Sequence, residues 1–489
     1  MTYKTVAVIG ASYGGNRAAQ ILAAGIPEGW RIVLVDRNTH FNHVYVLPRL
    51  AVLPGHEHKA FVPYTRVFWK SNPVQDSPHI LLHAHVLSVQ PHHIILSKAF
   101  PEHGIPTTKL EFDYLIYALG SHLPSPLNLW GSSPGVASTS IKNPGYEYNG
   151  TKQDGINWLK RNQKVIEEAP SVLVVGGGAL GIQFATDIAH LYPTKSVTLL
   201  HSRHKLMPRF DDELHLEGLL KGLESLDVNV ILGERLDLQS VNDEPVKHNE
   251  AGQRVVRTVK GREMAADLIL LCTGQIPNTA MLKEMDPTTV NPDDSLIHVL
   301  RTMQIGVLQP RSPSPSPSPS VAATPMSEPG TSPANPEDEL KAALEKISLA
   351  EAEALNKGPE ALVEEGAELV EELEEEPCEE AVETTTPYPH IFAVGDAADA
   401  FGAIAAGHTA YWQGEVAGRN VLRLIKGEEP LEHYHPGLPA IKVTLGRQKS
   451  AFQANGVVGA KSDGVDDLQA PIIWKAWGYE VNNDDDMLP

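Results

Sequence analysis

This chain of 489 residues has little sulfur to work with: its 2 cysteines, Cys272 and Cys378, stand far apart and outside any Cys-x-x-Cys spacing. That excludes a disulfide framework and a dithiol relay. Any electron transfer must then use a bound group, since no thiolate pair is there to carry it. Long apolar runs are missing too, none approaching the roughly 18 to 20 residues that a membrane span requires. The start, Met-Thr-Tyr-Lys-Thr, runs straight into apolar sequence, and Thr2 stands where N-myristoylation needs glycine. No signal or transit peptide is expected, and a cytoplasmic location follows as the default. Positive charge is the third scarcity, 40 Lys and Arg against 61 Asp and Glu. Residues 328–386 hold 19 acidic and 3 basic side chains, which accounts for 16 of the 21 excess negative charges. The remainder is mildly acidic without a basic stripe, so no nucleic-acid partner is expected. No metal site is expected either.

What the chain does have is a short motif twice. Val6 to Gly10 is an apolar run entering Gly10-Ala11-Ser12-Tyr13-Gly14-Gly15, which fits G-x-G-x-x-G except that Ser12 stands at the second glycine. Strand, glycine turn and helix in that order aim backbone N–H groups and a positive helix end at a pyrophosphate. A helix is expected from Asn16 to about Ala24, then a strand Arg31 to Val35 ending in Asp36 and Arg37. An acid at that strand end suits ribose hydroxyls. The second copy, Val172 to Asp187, carries the complete Gly176-Gly177-Gly178-Ala179-Leu180-Gly181 and then Gln183. Two such turns imply two dinucleotides. The strand after it, Ser196 to Leu200, ends in His201-Ser202-Arg203-His204, without the acid. Ser202, Arg203 and the two histidines, His201 and His204, suit a 2′-phosphate and hence NADPH; a solvated strand end explains them equally well.

Further strands are expected at Ile80 to Val89, Ile94 to Leu96, Val228 to Ile231, Arg254 to Lys260 and Asp267 to Cys272, with helical spacing over Asp154 to Ala169. Phe112 to Gly120 and Cys272-Thr273-Gly274 echo each other as strands closing on a glycine. From Gln309 to Thr386 the sequence turns to Pro-Ser repeats and Glu/Ala-rich stretches, which cannot bury enough apolar surface to offset ordering entropy. A largely disordered insertion is expected, either a partner-recruiting segment or a tolerated surface expansion. Order returns at His390 to Asp396, a strand delivering Gly395 and Asp396 at its C-terminal end. Ala403 to Ile425 is a small-residue helix able to approach a ring system. Strands are expected at Ile441 to Leu445 and Ala454 to Val458; Trp474, Lys475 and Trp477 suit packing first, a membrane or partner face second.

The two fingerprints, the strand ends at Gly120 and Gly274 and the Ala393-Val394-Gly395-Asp396 box together resemble the two-dinucleotide flavoproteins of glutathione-reductase fold. Arg49 in its Leu-Pro-Arg context, Ala60 to Tyr64, Val197 to Ser202 and Leu270 to Gly274 bring the likeness to the apoptosis-inducing-factor-like branch, which includes ferroptosis suppressor protein and is related to type II NADH dehydrogenases. The resemblance implies an α/β fold of two Rossmann-like domains. An FAD domain at 1–130, 286–308 and 387–430 would carry an inserted NAD(P)H domain at 150–285, the insertion at 309–386, and a small α+β part at 431–489. It implies FAD on Gly10, Ala11, Ser12, Gly14, Gly15, Asp36, Arg37 and Arg49, with Val86 lending its backbone to adenine, Asp396 on the ribityl chain, and the glycines at 120, 274 and 395 shaping the site. It implies NAD(P)H on Gly176, Gly178, Gly181, Gln183, Ser202 and Arg203, and a quinone-like acceptor, with room for peripheral membrane contact and a homodimer. Gln183 departs from the glutamate of relatives. Lys461 aligns, through a Lys-Ser pair, with a flavin-side lysine and is the one catalytic side chain implied. A cofactor-binding signalling or scaffold protein is the competing class, separable by turnover.

Overall fold

The computed structural model describes residues 3–68, 77–123, 148–242, 245–308, 384–462 and 464–488. The expected insertion, apart from its last residues, and Cys378 lie outside the described residues.

Five parallel strands form the first sheet, in the order Ile391–Ala393, Tyr114–Tyr117, Lys4–Ile9, Trp30–Asp36, Ile80–His83. Val6 to Ile9 in its central strand are 0% exposed, which is why the sequence reads as an apolar run instead of an alternation: both faces are covered. Four parallel strands form the second, in the order Asn229–Ile231, Ser196–Leu200, Ser171–Val175, Leu268–Leu271. Each central strand runs into a glycine turn and a 13-residue helix, Tyr13–Gly25 and Ala179–Leu191. The chain leaves the first sheet after Tyr114–Tyr117, builds the second, and returns to pair Ile391–Ala393 alongside the strand it left. The architecture is α/β with two Rossmann-like units. A three-stranded antiparallel sheet, Ile441–Leu445, Lys449–Ala454 and Val457–Lys461, follows, and after it in the chain the short helix Ala470–Ala476.

The crossing between the units is itself paired. Ser121–His122 lies antiparallel to Ile276–Pro277, so the two echoing strand ends meet in one ribbon. Asn278 ties it down: its Nδ2 donates to the Leu119 carbonyl at 2.8 Å, and its Oδ1 lies 2.6 Å from His122 Nδ1.

Several elements differ from their expected form. The expected strand over Ala454 to Val458 is a hairpin turn, because Asn455 and Gly456 take φ of 49° and 77°, the left-handed pair that Asn-Gly favours. The strand expected from Ile80 to Val89 divides into Ile80–His83 and Val86–Gln90, which belong to different sheets. The small-residue helix begins at Gly407, ends at Lys426, and spends its small residues on another helix: a Cβ on Gly414 would lie 2.3 Å from the Gly14 carbonyl oxygen. Trp474 and Trp477 are buried, Trp474 donating to the Lys59 carbonyl at 3.0 Å and Trp477 stacking on Phe41, so they pack the C-terminal part and offer no external face.

Candidate functional site

The site is built on the two glycine turns, which repeat each other contact for contact. Gly10 takes φ +91°, and a Cβ there would lie 2.3 Å from the Ala118 carbonyl oxygen; Gly176 takes φ +123°, with the Cys272 carbonyl oxygen at 2.1 Å. A Cβ on Gly15 would strike the Gly10 carbonyl oxygen at 1.8 Å, one on Gly181 the Gly176 carbonyl oxygen at 1.9 Å. Sterics therefore require glycine at the first and third positions. At the second the requirement is looser, since a Cβ on Gly178 meets nothing within 4 Å, and there the first domain carries Ser12. Ser12 and Gly178 are the N-caps of their helices and neither makes a side-chain capping bond, so the first-turn N–H groups face outward at the positive helix end, a ready anion seat.

At the first turn Asp36 closes the loop. Its carboxylate accepts from the Ala11 N–H at 2.7 Å and the Asn38 N–H at 2.7 Å. Burial raises its pKa, partly offset by those two donors. Burial likewise lowers the pKa of neighbouring Arg37, which the Asp36 charge opposes. Val86 begins the strand Val86–Gln90, just after His83, which is paired with Asp36. Gly395 and Asp396 follow Ile391–Ala393 at the C-terminal edge of the same sheet, the ligand edge of open α/β folds. The Gly395 N–H donates to Gln413 at 2.7 Å, Ser121 donates to Asp396 at 2.9 Å, and burial raises the Asp396 pKa. Gly120 and Gly274, at φ +57° and +117°, turn the chain from the sheets into the connecting ribbon. Gly14 lies against the helix Gly407–Lys426, where its own Cβ would sit 2.8 Å from the Ala410 carbonyl oxygen.

At the second turn, Ser202 and Arg203 are exposed immediately after the strand. Gln183 points elsewhere, donating to Thr444 of the C-terminal sheet at 3.2 Å. Cys272 is buried against the turn, and burial pushes its thiol pKa up, a packing role rather than a reactive one.

Two expected residues have protein partners outside the turns. Arg49, expected on FAD, pairs with Asp187 at 2.9 Å, both side chains 1% exposed, and donates to the Gly446 carbonyl at 2.7 Å. Asp187 lies on the helix of the second turn, where the sequence pattern showed only an acid on a helix. Lys461 ends the edge strand of the C-terminal sheet opposite Ser450, its ammonium 5.8 Å from the Phe452 ring centroid. The strand of that sheet that reaches the second-turn helix is Ile441–Leu445, through Thr444, so Lys461 sits on the far edge from it. His201, expected with its neighbours at a 2′-phosphate, also accepts from the Gly177 N–H at 3.0 Å. Among the described residues, no group of side chains could hold a metal ion, and no helix is long and apolar enough to cross a membrane.

Two glycine turns of one geometry, each with an open helix end, on two parallel sheets tied by an antiparallel ribbon, define a scaffold for two dinucleotides. Residues 4–305 match the family described as pyridine nucleotide-disulphide oxidoreductase. The chain is 36% identical over 487 residues to Fe-regulated protein 8 of Mycosarcoma maydis, covering 98% of this chain and 96% of that protein. It is 31% identical over 276 residues to ferroptosis suppressor protein 1 of Homo sapiens, covering 55% of this chain and 62% of that one. The sulfide:quinone oxidoreductase of Aquifex aeolicus shares the fold at TM-score 0.59 and 14% identity, over 97% of this chain and 92% of that chain. The chain belongs to the pyridine nucleotide-disulphide oxidoreductase family. Its cofactors are FAD and a nicotinamide nucleotide.

Proposed function

We propose that the chain transfers a hydride from NAD(P)H at the second turn to FAD at the first, and passes the electrons to a quinone-like acceptor. The observation that carries this reading is the ribbon Ser121–His122 with Ile276–Pro277, which ties the exits of the two glycine-turn sheets together. Bound flavin supplies the chemistry, accepting two electrons together and releasing them singly or in pairs. The chain supplies position. Gly10, Ala11, Ser12, Gly14, Gly15, Asp36 and Arg37 would seat the FAD pyrophosphate and ribose, Val86 the adenine, and Asp396 the ribityl chain. Gly176, Gly178, Gly181, Ser202 and Arg203 would seat the nicotinamide nucleotide. A quinone is favoured over a disulfide because Cys272, the cysteine among the described residues, is buried and inert.

A visible spectrum tests this. Purified protein should show flavin bands that bleach on anaerobic NADH or NADPH and return when a short-chain quinone is added. Bands that return only with another oxidant would leave a reductase with a different acceptor. A flavin that stays oxidised, or none after reconstitution with FAD, would overturn the enzyme and favour a scaffold.

A further inference from the structure

We propose that His201 is the positioning residue of the nicotinamide turn: its unprotonated Nδ1 holds the turn open for the nucleotide, and its lack of negative charge admits a 2′-phosphate. This rests on the reading that the second turn binds NAD(P)H.

The chain carries its own comparison. In the first domain the Gly10 N–H donates to the Val35 carbonyl at 2.8 Å, the next N–H, of Ala11, donates to the Asp36 carboxylate at 2.7 Å, and the Asp36 carbonyl accepts from Ala84 at 2.9 Å. In the second, the Gly176 N–H donates to the Leu200 carbonyl at 2.8 Å, the Gly177 N–H to His201 Nδ1 at 3.0 Å, and the His201 carbonyl accepts from Glu234 at 3.1 Å. Three successive contacts place His201 where the first domain has its acid. Its tautomer is set by its partners. Nε2 faces the Lys205 carbonyl at 3.1 Å, which can only accept, so the proton is on Nε2 and Nδ1 is free to accept from Gly177. The ring also lies on the turn, since a Cβ on Gly177 would be 2.7 Å from His201 Cγ.

A carboxylate here would bond a free 2′-hydroxyl and repel a 2′-phosphate; a neutral imidazole holds the turn equally and repels neither. The charged and titratable groups around it are Arg203 and Lys205 on its own turn, His215 on the following helix, and Glu234 on the turn after Asn229–Ile231. Burial disfavours the imidazolium, the cation of Arg203 adds to that, and the Lys205 carbonyl opposes it. Protonation would set two donors face to face and release the turn.

The test uses the full-length, FAD-loaded protein, measuring Kd for NADPH and NADH and the limiting rate of flavin reduction from pH 5 to 8, with melting and flavin content as folding checks. His201→Leu should weaken both nucleotides about tenfold at neutral pH, the loss of one well-placed hydrogen bond, with the limiting rate little changed. Wild-type Kd should rise on the acid side. In His201→Asn, where Oδ1 replaces Nδ1, affinity should return and the acid-side rise should vanish, separating His201 from His215. His201→Asp should also restore the turn but shift preference toward NADH by about tenfold. Unchanged affinity in His201→Leu, an acid-side rise that persists in His201→Asn, or unchanged preference in His201→Asp would overturn the proposal. A wild type that binds nucleotide without reducing flavin would sink the reductase reading, and His201 would then be judged on the affinities. No binding by wild type would sink both.

Discussion

Arg49 and Asp187 show how far a residue's role depends on what burial leaves it. The pair joins the first domain to the helix of the second, and Arg49 also reaches the C-terminal part through the Gly446 carbonyl. Both Asp187 oxygens and Arg49 Nε are short of hydrogen-bond geometry, so the pair is held by charge more than by fit. Arg49→Met should cost about 3–5 kcal/mol in denaturant unfolding, because it strands a buried carboxylate, whereas adding Asp187→Leu should regain most of it. A single variant as stable as the parent would refute that. His40 and His43 give a second residue-scale expectation. Burial lowers both to about 4, well below the unfolded value near 6.5, so each stabilises the fold while neutral. That stability is present above about pH 6.5 and is lost as pH falls toward 4, about 2 kcal/mol for each between pH 7 and 5. Unfolding free energy compared at those two pH values should fall accordingly, and less steeply in His43→Phe.

At the scale of elements, the crossing of Tyr13–Gly25 with Gly407–Lys426 decides how tightly the first turn is held. A Cβ on Gly418 would lie 3.1 Å from Ile21 and 3.2 Å from the Ala18 carbonyl oxygen, tight but yielding. One on Gly414, 2.3 Å from the Gly14 carbonyl oxygen, meets backbone that cannot move without moving the turn. Gly414→Ala should therefore lower the melting temperature by an amount reflecting about 1–3 kcal/mol, and should also lower the FAD retained on purification, while Gly418→Ala does less. Equal flavin content in both would argue that the crossing does not set the turn. The strands, glycine turns and following helices were legible because each leaves a local mark: an apolar run, a glycine, a periodic face. The hairpin at Asn455-Gly456 was missed: its turn dipeptide signals it, but the apolar residues around it read as one strand.

At the scale of the molecule, the described residues on either side of 309–383 are paired. Val307–Leu308 pairs antiparallel with Thr384–Thr385, so the two ends of the segment emerge side by side. Replacing 309–383 with a short turn should leave flavin content and nicotinamide-driven flavin reduction unchanged. On the sequence expectation of a disordered insertion, it should also raise stability by roughly 2 kcal/mol, from the loop-closure entropy of several halvings in length. Melting curves and reduction rates of the shortened protein check this; loss of reduction would assign the segment a part in the site itself.

By itself the sequence determined two nucleotide domains, the absence of a dithiol relay and most of the residues at the turns, because glycine sterics and strand-end acids act within a few residues of one another. The tertiary structure decided the partners of long side chains. Arg49 was drawn to Asp187, Gln183 to Thr444 and Lys461 to the ring of Phe452, since a charged or amide group leaving water takes whichever partner the packed elements bring within reach. It also decided that His201, at the strand end where the sequence lacks an acid, takes the Gly177 N–H as Asp36 takes that of Ala11, a bond no local pattern shows.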